Sequence, residues 1–459
     1  MHVLPKHQKY KNMYGQKELF WGLGIEEETY LQFIKPIFVA TPLIRQNHTE
    51  ERYSVNYYSS FLPEYCKYFE TQFPDASGFI PLPYFVNSHA LSKCDTNGFH
   101  QTTYAKIPKP NPKFSGKTFF EELQEFCPEI FLKEYETNFT FDGDSIEFMT
   151  LAFYKTNAKA TVKELIDYKV RFLQKINEFL VKKRRFLDKG LLQYPCRNPG
   201  WAVFYTNPMN VAMFNSGTYH INITIPSLLG AKVEDEPPPL LYPQIFEQQH
   251  KQAILVYQWL EPLLIAIYGT PDPFSFSNPE FCNASQRCAM SRYIGIGTYD
   301  TAEMKQGKIL TVETKSLKAT SYPFWWYSRY HEKSAYRKLE KIGLDINYKK
   351  HFNHGIELRF FDWFPEDCLY QLLEFIICLA DCAIERPEVD DPSLSKTWND
   401  LVLGIMQEGK WFHLNSEMIG SLEKALGIHI IGCAALDIFE NIRQQVIKKY
   451  RGICWKAML

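Results

Sequence analysis

The sequence predicts an α+β fold: a mostly antiparallel sheet with an acid-bearing face, and helices packed on its apolar face. Three observations carry that expectation. First, four separated segments alternate an apolar row with a row of acidic, imidazole, amide or guanidinium side chains. They are residues 24–33 (GIEEETYLQF), 140–151 (TFDGDSIEFMTL), 217–226 (GTYHINITIP) and 354–362 (HGIELRFFD). Successive side chains of a strand point to opposite faces, so these rows belong to a sheet with one apolar side. Second, long stretches between and after them have helical spacing. Third, strands and helices do not alternate as regular βαβ units, which disfavours a doubly wound sheet.

Taken in order, residues 1–18 are polar and irregular. Residues 19–33 read as the first strand, with Ile25, Leu31 and Phe33 opposite Glu26 and Glu28. Residues 34–130 are rich in aromatics, Pro and Asn without a clean period. They read as loops, short strands and short helices, some bordering a cleft. Residues 134–151 form a second strand region, a hairpin turned at Asp142-Gly143. Residues 161–187 are helical, with Leu165, Tyr168, Phe172, Ile176 and Leu180 in one stripe and the basic run 182–185 at a solvated end.

The Pro-, Asn- and Gly-rich stretch 188–216 leads into a third strand. There Tyr219, Ile221, Ile223 and Ile225 oppose Thr218, His220, Asn222 and Thr224. Residues 232–243 are acidic, then Pro-rich, and read as a loop. Residues 244–268 are a helix, kinked or broken near Pro262. Residues 271–281 are a loop and 287–300 are strand-like. The fourth strand sets Ile356, Leu358 and Phe360 against Glu357 and Arg359, and a helix over 366–384 follows. Residues 393–449 are helical. The division expected is one domain over 1–385, which carries the four alternating segments, and a C-terminal helical layer, 386–459, packed on it.

A chain of 459 residues, 45% hydrophobic and 16% aromatic, can bury a large core. Lys+Arg 51 against Asp+Glu 52 leaves a formal net charge of −1, which gives no reason to expect nucleic acid or an anionic membrane as partner. The 11 cysteines are odd in number and include no CxxC pair, so neither a disulfide framework nor a zinc knuckle is expected. Cys378 and Cys382 sit in an apolar run, where packing is their role. The first residues lack the apolar stretch of a signal peptide, and the greasiest runs carry Glu261, Glu374 or Asp381. The expected setting is the reducing cytoplasm.

Glu26 and Glu28 share a strand face with carboxylates roughly 7 Å apart, a spacing suited to two neighbouring ions. Carboxylate oxygens select Mg²⁺ or Mn²⁺ over soft metals. Glu147 and Glu357 can add ligands from other strands, and His220 an imidazole nitrogen. Arg359, on the face of Glu357, offers a planar cationic fork to phosphate oxygens. Each motif is commonplace alone: an acidic run is usually a solvated surface, and Glu-Leu-Arg is often a salt bridge. Acids set into a half-buried sheet, however, need a partner charge.

In their order, these segments resemble the glutamine-synthetase-like carboxylate–amine ligases, and most closely the glutamate–cysteine ligases. Gly24-Ile25-Glu26-Glu27-Glu28 matches the family's opening G-x-E-x-E strand. Ile146-Glu147-Phe148-Met149-Thr150 matches its second strand, and Gly217-Thr218-Tyr219-His220-Ile221-Asn222 a later one. Met290-Ser291-Arg292-Tyr293 is similar to an S-R-Y segment, and 354–360 to a G-x-x-(V/I)-E-x-R strand. The resemblance covers residues 19 to 385 as ordered anchors.

It implies a curved sheet with a concave, metal-binding acidic face, ATP as cofactor, and two or three Mg²⁺ or Mn²⁺ ions. Glu26, His220 and Glu357 would hold one ion on the ATP β- and γ-phosphates. Glu28 and Glu147 would hold one nearer the acceptor carboxylate. Arg359 would steady the transferred phosphoryl group. Arg292 would bind phosphate or the substrate carboxylate, and Asn222 would orient substrate or ligand. The reaction implied is ATP-dependent amide formation, γ-glutamyl in kind, through an acyl phosphate. The partners implied are small amino-acid substrates, with glutamate as the acid. Where bacterial members carry an acid seven residues before the second-strand Glu, this chain has Thr140, with Asp142 and Asp144 nearby. Three other readings stay open: an amidoligase acting on a peptide or protein side chain, a guanidino phosphotransferase, and a non-catalytic binding protein of the same fold.

Overall fold

The computed structural model describes residues 18–29, 31–34, 37–40, 79–82, 84–86, 125–128, 138–142, 145–184, 190–194, 202–204, 212–213, 217–231, 239–269, 284–285, 299–300, 305–306, 342–343, 346–348, 354–386, 388–451 and 458–459. The main sheet contains β1 (Glu18–Thr29), β2 (Phe139–Asp142), β3 (Ser145–Met149), β4 (Thr218–Leu229), β5 (Ile342–Gly343), β6 (Ile346–Tyr348) and β7 (Ile356–Asp362). Their order across the sheet is β5-β6-β7-β4-β1-β3-β2, and every neighbouring pair is antiparallel. The longer helices among the described residues are α1 (Ala158–Lys183), α2 (Pro243–Tyr268), α3 (Leu369–Ile384), α4 (Lys396–Glu408), α5 (Ser416–Leu426) and α6 (Ala435–Tyr450). An α+β architecture with an antiparallel sheet is what the alternating rows predict.

The segment expected as one strand over 19–33 is two. β1 ends at Thr29, and Leu31–Phe33 pairs in a second sheet with Tyr84–Val86 and Leu192–Gln193. Leu31 and Phe33 therefore do not continue the apolar row of β1. Glu27 and Thr29 occupy it instead, both buried. With Glu26 and Glu28 on one face, Glu27 must share the other with Leu23 and Ile25. The hairpin at Asp142-Gly143 is present, with Asp142 paired to Ser145 across the turn.

β4 forms the centre of the sheet and is buried along its whole length. Two irregularities interrupt its ladders. On the β1 side, Phe20 pairs with Ser227 but Gly22 with Thr224, so β4 carries an extra residue around Pro226. A bulge accommodates a residue that has no N–H to donate. On the β7 side, Ile221 pairs with Leu358 but Tyr219 with Phe361, so β7 carries the extra residue. The simple alternation of β7 thus fails after Leu358. Phe361 comes opposite Tyr219, and its ring meets Tyr268 of α2 edge-on.

Leu23, Ile25, Ile146, Phe148, Tyr219, Ile221, Ile223, Ile356 and Leu358 pack against α1, α2 and α3 in a core that also includes residues of α4, α5 and α6. Fully burying one such side chain contributes about 1.5–3 kcal/mol. α1 begins at Asn157, whose side chain accepts from the Ala160 N–H, and ends at Arg184 in the left-handed conformation, where Lys182 and Lys183 are exposed. Its buried stripe contains Lys169 where the spacing suggested Tyr168. α2 runs unbroken through Pro262. The C-terminal helices are tied to it by Trp398, whose Nε1 donates to Gln258 O at 2.8 Å. Cys378 and Cys382 are buried, as packing requires. Among the described residues no helix is long and apolar enough to cross a membrane.

Burial pushes the phenols of Tyr194, Tyr219 and Tyr257 well above their ordinary value, and that of Tyr268 up to about 12. Above pH 10 the unfolded chain loses phenolic protons that the folded chain keeps. Stability contributed by these groups is complete below pH 10 and falls as pH rises through the folded values, by about 1.4 kcal/mol per group per pH unit at most. Urea midpoints are expected to hold from pH 9 to 10 and to drop as pH rises beyond 10, with the 295 nm phenolate absorbance of the buried tyrosines rising together with unfolding. A midpoint that stays flat above pH 10 would contradict this.

Candidate metal centre

The strand order sets β1, β4 and β7 side by side, so one face collects residues from three remote parts of the chain. In register, Glu26 lies opposite His220, Glu28 opposite both Thr218 and Glu147, and Asn222 opposite Glu357. Gly217, just before β4, allows the backbones to come this close: a Cβ there would stand 2.2 Å from the Glu28 carbonyl oxygen.

The imidazole of His220, 2% exposed, sits among three carboxylates. Its Nδ1 is 3.3 Å from Glu26 and 3.8 Å from Glu357, and its Nε2 is 3.7 Å from Glu28. Thr218 Oγ1 lies 3.4 Å from the same Nε2. Asn222 Nδ2 donates to Glu26 at 3.2 Å, and Arg359 Nη1 donates to Glu357 at 3.2 Å. Glu357 is fully buried, whereas the Arg359 side chain is 27% exposed. One ligand atom each from Glu26, His220 and Glu357 lies within 4.8 Å of the other two.

This donor set is two carboxylates and an imidazole, flanked by a third carboxylate. Hard oxygen donors with one nitrogen suit Mg²⁺ or Mn²⁺. Like charges at these distances repel unless a cation joins them, so the residues present fit a divalent ion.

The structure brings together Glu26, Glu28, His220, Asn222, Glu357 and Arg359. It places Glu147 next to Glu28 in the ladder, with Thr140 across from Glu147. Arg292 and Asp144 lie outside the described residues, as do most of the aromatics of 34–130.

Behind this face stands a group the motif reading missed. Glu27 is fully buried on the helical side, 2.7 Å from Lys169 Nζ of α1. Lys169 also pairs with Glu366, in the turn before α3. Burial pushes the Glu27 carboxyl up against the opposing pull of Lys169. Burial alone would lower the Lys169 ammonium, but its two carboxylate partners hold it above its ordinary value. A signal existed in the sequence: three consecutive acids on a strand force the middle one onto the apolar row, where it needs a cation.

Compared with known proteins, the chain matches no family model. It is 40% identical to "Uncharacterized protein R704" of Acanthamoeba polyphaga mimivirus over 457 residues, which are 98% of this chain and 79% of that protein. The chain belongs to the R704 family. The matched residues take in the described strands of the main sheet and the helices α1 to α6.

Proposed function

We propose that this chain is an ATP-dependent carboxylate–amine ligase with a glutamine-synthetase-like sheet, its acidic face binding metal. The observation that carries the reading is the convergence of Glu26, His220 and Glu357 within 4.8 Å, with the Arg359 guanidinium held at 3.2 Å from Glu357. A carboxylate is a poor electrophile. Attack of its oxygen on the γ-phosphorus of ATP forms an acyl phosphate and releases ADP. Attack of an amine on the acyl carbon then forms the amide and expels phosphate. Positioning and charge neutralisation do most of the catalytic work in such transfers.

Glu26, His220 and Glu357 would hold one ion, and Glu28 with Glu147 a second. When bound, Mg²⁺ or Mn²⁺ would neutralise the charge of the triphosphate. Arg359, anchored by Glu357 yet partly open to solvent, would offer its fork to the transferred phosphoryl oxygens. Asn222 holds the Glu26 carboxylate in place. Small amino-acid substrates, glutamate as the acid, and a cytoplasmic setting accompany this reading.

The test is incubation of the purified chain with ATP, Mg²⁺ and a panel of amino acids, amines and peptides. Amine-dependent release of ADP and phosphate, with a new amide seen by mass spectrometry, is expected. Silence across a broad panel would count heavily against the ligase. Arg359→Ala is expected to lower kcat by about 10²–10³ with an unchanged far-UV circular dichroism spectrum. Retention of full turnover would remove Arg359 from the phosphoryl site.

A further inference from the structure

We propose that Lys169 is a positioning residue for the metal centre, joining from behind the two outer strands that carry its ligands. The inference rests on the metal-binding reading of the front face. β1 carries Glu26 and Glu28, and β7 carries Glu357 and Arg359. The two are not neighbours, because β4 lies between them. On the back of the sheet, Lys169 binds Glu27, which stands between Glu26 and Glu28 in the chain. The same ammonium binds Glu366, which follows the end of β7 by four residues. One cation thus bridges the β1 ligand strand to the exit of the β7 ligand strand.

The bridge passes behind the His220 strand. Tyr219, the residue before His220, pairs with Glu27 in one ladder and with Phe361 in the other. The lysine is itself held. Tyr194 donates from its hydroxyl to the Lys169 carbonyl at 2.8 Å, and the Tyr194 ring stands 4.6 Å from Nζ.

A buried ion cluster of this kind contributes little net stability compared with apolar side chains of similar volume. Its consequence here is geometric. A shift of the backbone at Glu27 carries Glu26 and Glu28 with it, since all three share one stretch of β1. Partners outside the ligand shell typically affect metal affinity by roughly 10–100-fold.

The experiment is titration of the full-length chain with Mn²⁺, free ion being read by electron paramagnetic resonance and folding by circular dichroism. The variant pair Glu27→Gln with Lys169→Met removes both buried charges together. Glu366 remains, one-third exposed and able to turn to water. A folded double variant that binds Mn²⁺ at least tenfold more weakly than wild type is the expected result. Affinity within twofold of wild type would overturn the positioning role and leave the metal centre intact. A wild-type chain that binds no Mn²⁺ would instead sink the metal-binding reading, and this inference with it. Should the double variant not fold, Glu366→Ala alone keeps the Lys169–Glu27 pair and cuts only the tether to β7. Weaker Mn²⁺ binding in that folded variant supports the role, and unchanged binding overturns it.

Discussion

Glu357→Gln is expected to reduce Mn²⁺ affinity at least about 100-fold, beyond the loss seen when only a ligand's hydrogen-bonding partner is removed. Glutamine keeps the shape and most hydrogen-bonding capacity of glutamate but not its charge. In the metal-free protein that charge sits within 4 Å of the His220 Nδ1, beside Glu26. Removing it relieves repulsion between carboxylates, while Arg359, partly exposed, can be hydrated instead. The metal-free variant is therefore expected to melt at the wild-type temperature or above. The wild type alone is expected to gain stability on adding metal, about 2.7 kcal/mol at a concentration one hundred times its Kd. Calorimetric scans with and without Mn²⁺ read both halves. A variant that melts far below wild type without metal would show that Glu357 serves the fold rather than an ion.

Gly217→Ala is expected to destabilise the protein by about 3 kcal/mol, at the upper end for inserting a group into a closely packed site. The added methyl would meet the Glu28 carbonyl oxygen at 2.2 Å, and this oxygen belongs to backbone rather than to a side chain that could swing away. β1 and β4 would have to part where Glu28 and Thr218 face each other. The same substitution at Gly420, an exposed position of α5, meets nothing within 4 Å. There it should stabilise by roughly 0.5–1 kcal/mol, since alanine loses less conformational freedom in a helix. Urea unfolding of the two variants provides the comparison. A Gly217→Ala midpoint equal to wild type would mean that the strands can separate without cost.

Period-two rows were enough to find β4, a strand of 12 residues, and the first part of β7, where Ile356 and Leu358 are buried in the core. The hairpin of β2 and β3 was legible from Asp142-Gly143, as a two-residue turn is a local matter. Six residues of the candidate centre could be named for the same reason: each lies at an even spacing from a polar neighbour on its own strand. The failures, by contrast, have long-range causes. The separation of Leu31–Phe33 from β1 depends on partners at 84–86 and 192–193, far along the chain. The bulge in β7 depends on where β4 places Tyr219. Tyr168 and Lys169 are adjacent on α1, and helical spacing cannot choose between them. A buried carboxylate on the neighbouring sheet chooses the lysine.

The sequence by itself determined where β4 and the longer helices run and which side chains of β1, β4 and the start of β7 share a polar face, since side-chain direction follows from backbone geometry over a few residues. Only the tertiary structure decided that β1, β4 and β7 are neighbours, and that Glu26, His220 and Glu357 consequently meet. It alone showed Glu27 turned away from them toward Lys169. Strand order is a property of long-range packing, in which burial of the common core outweighs any local preference, and no window of sequence contains it.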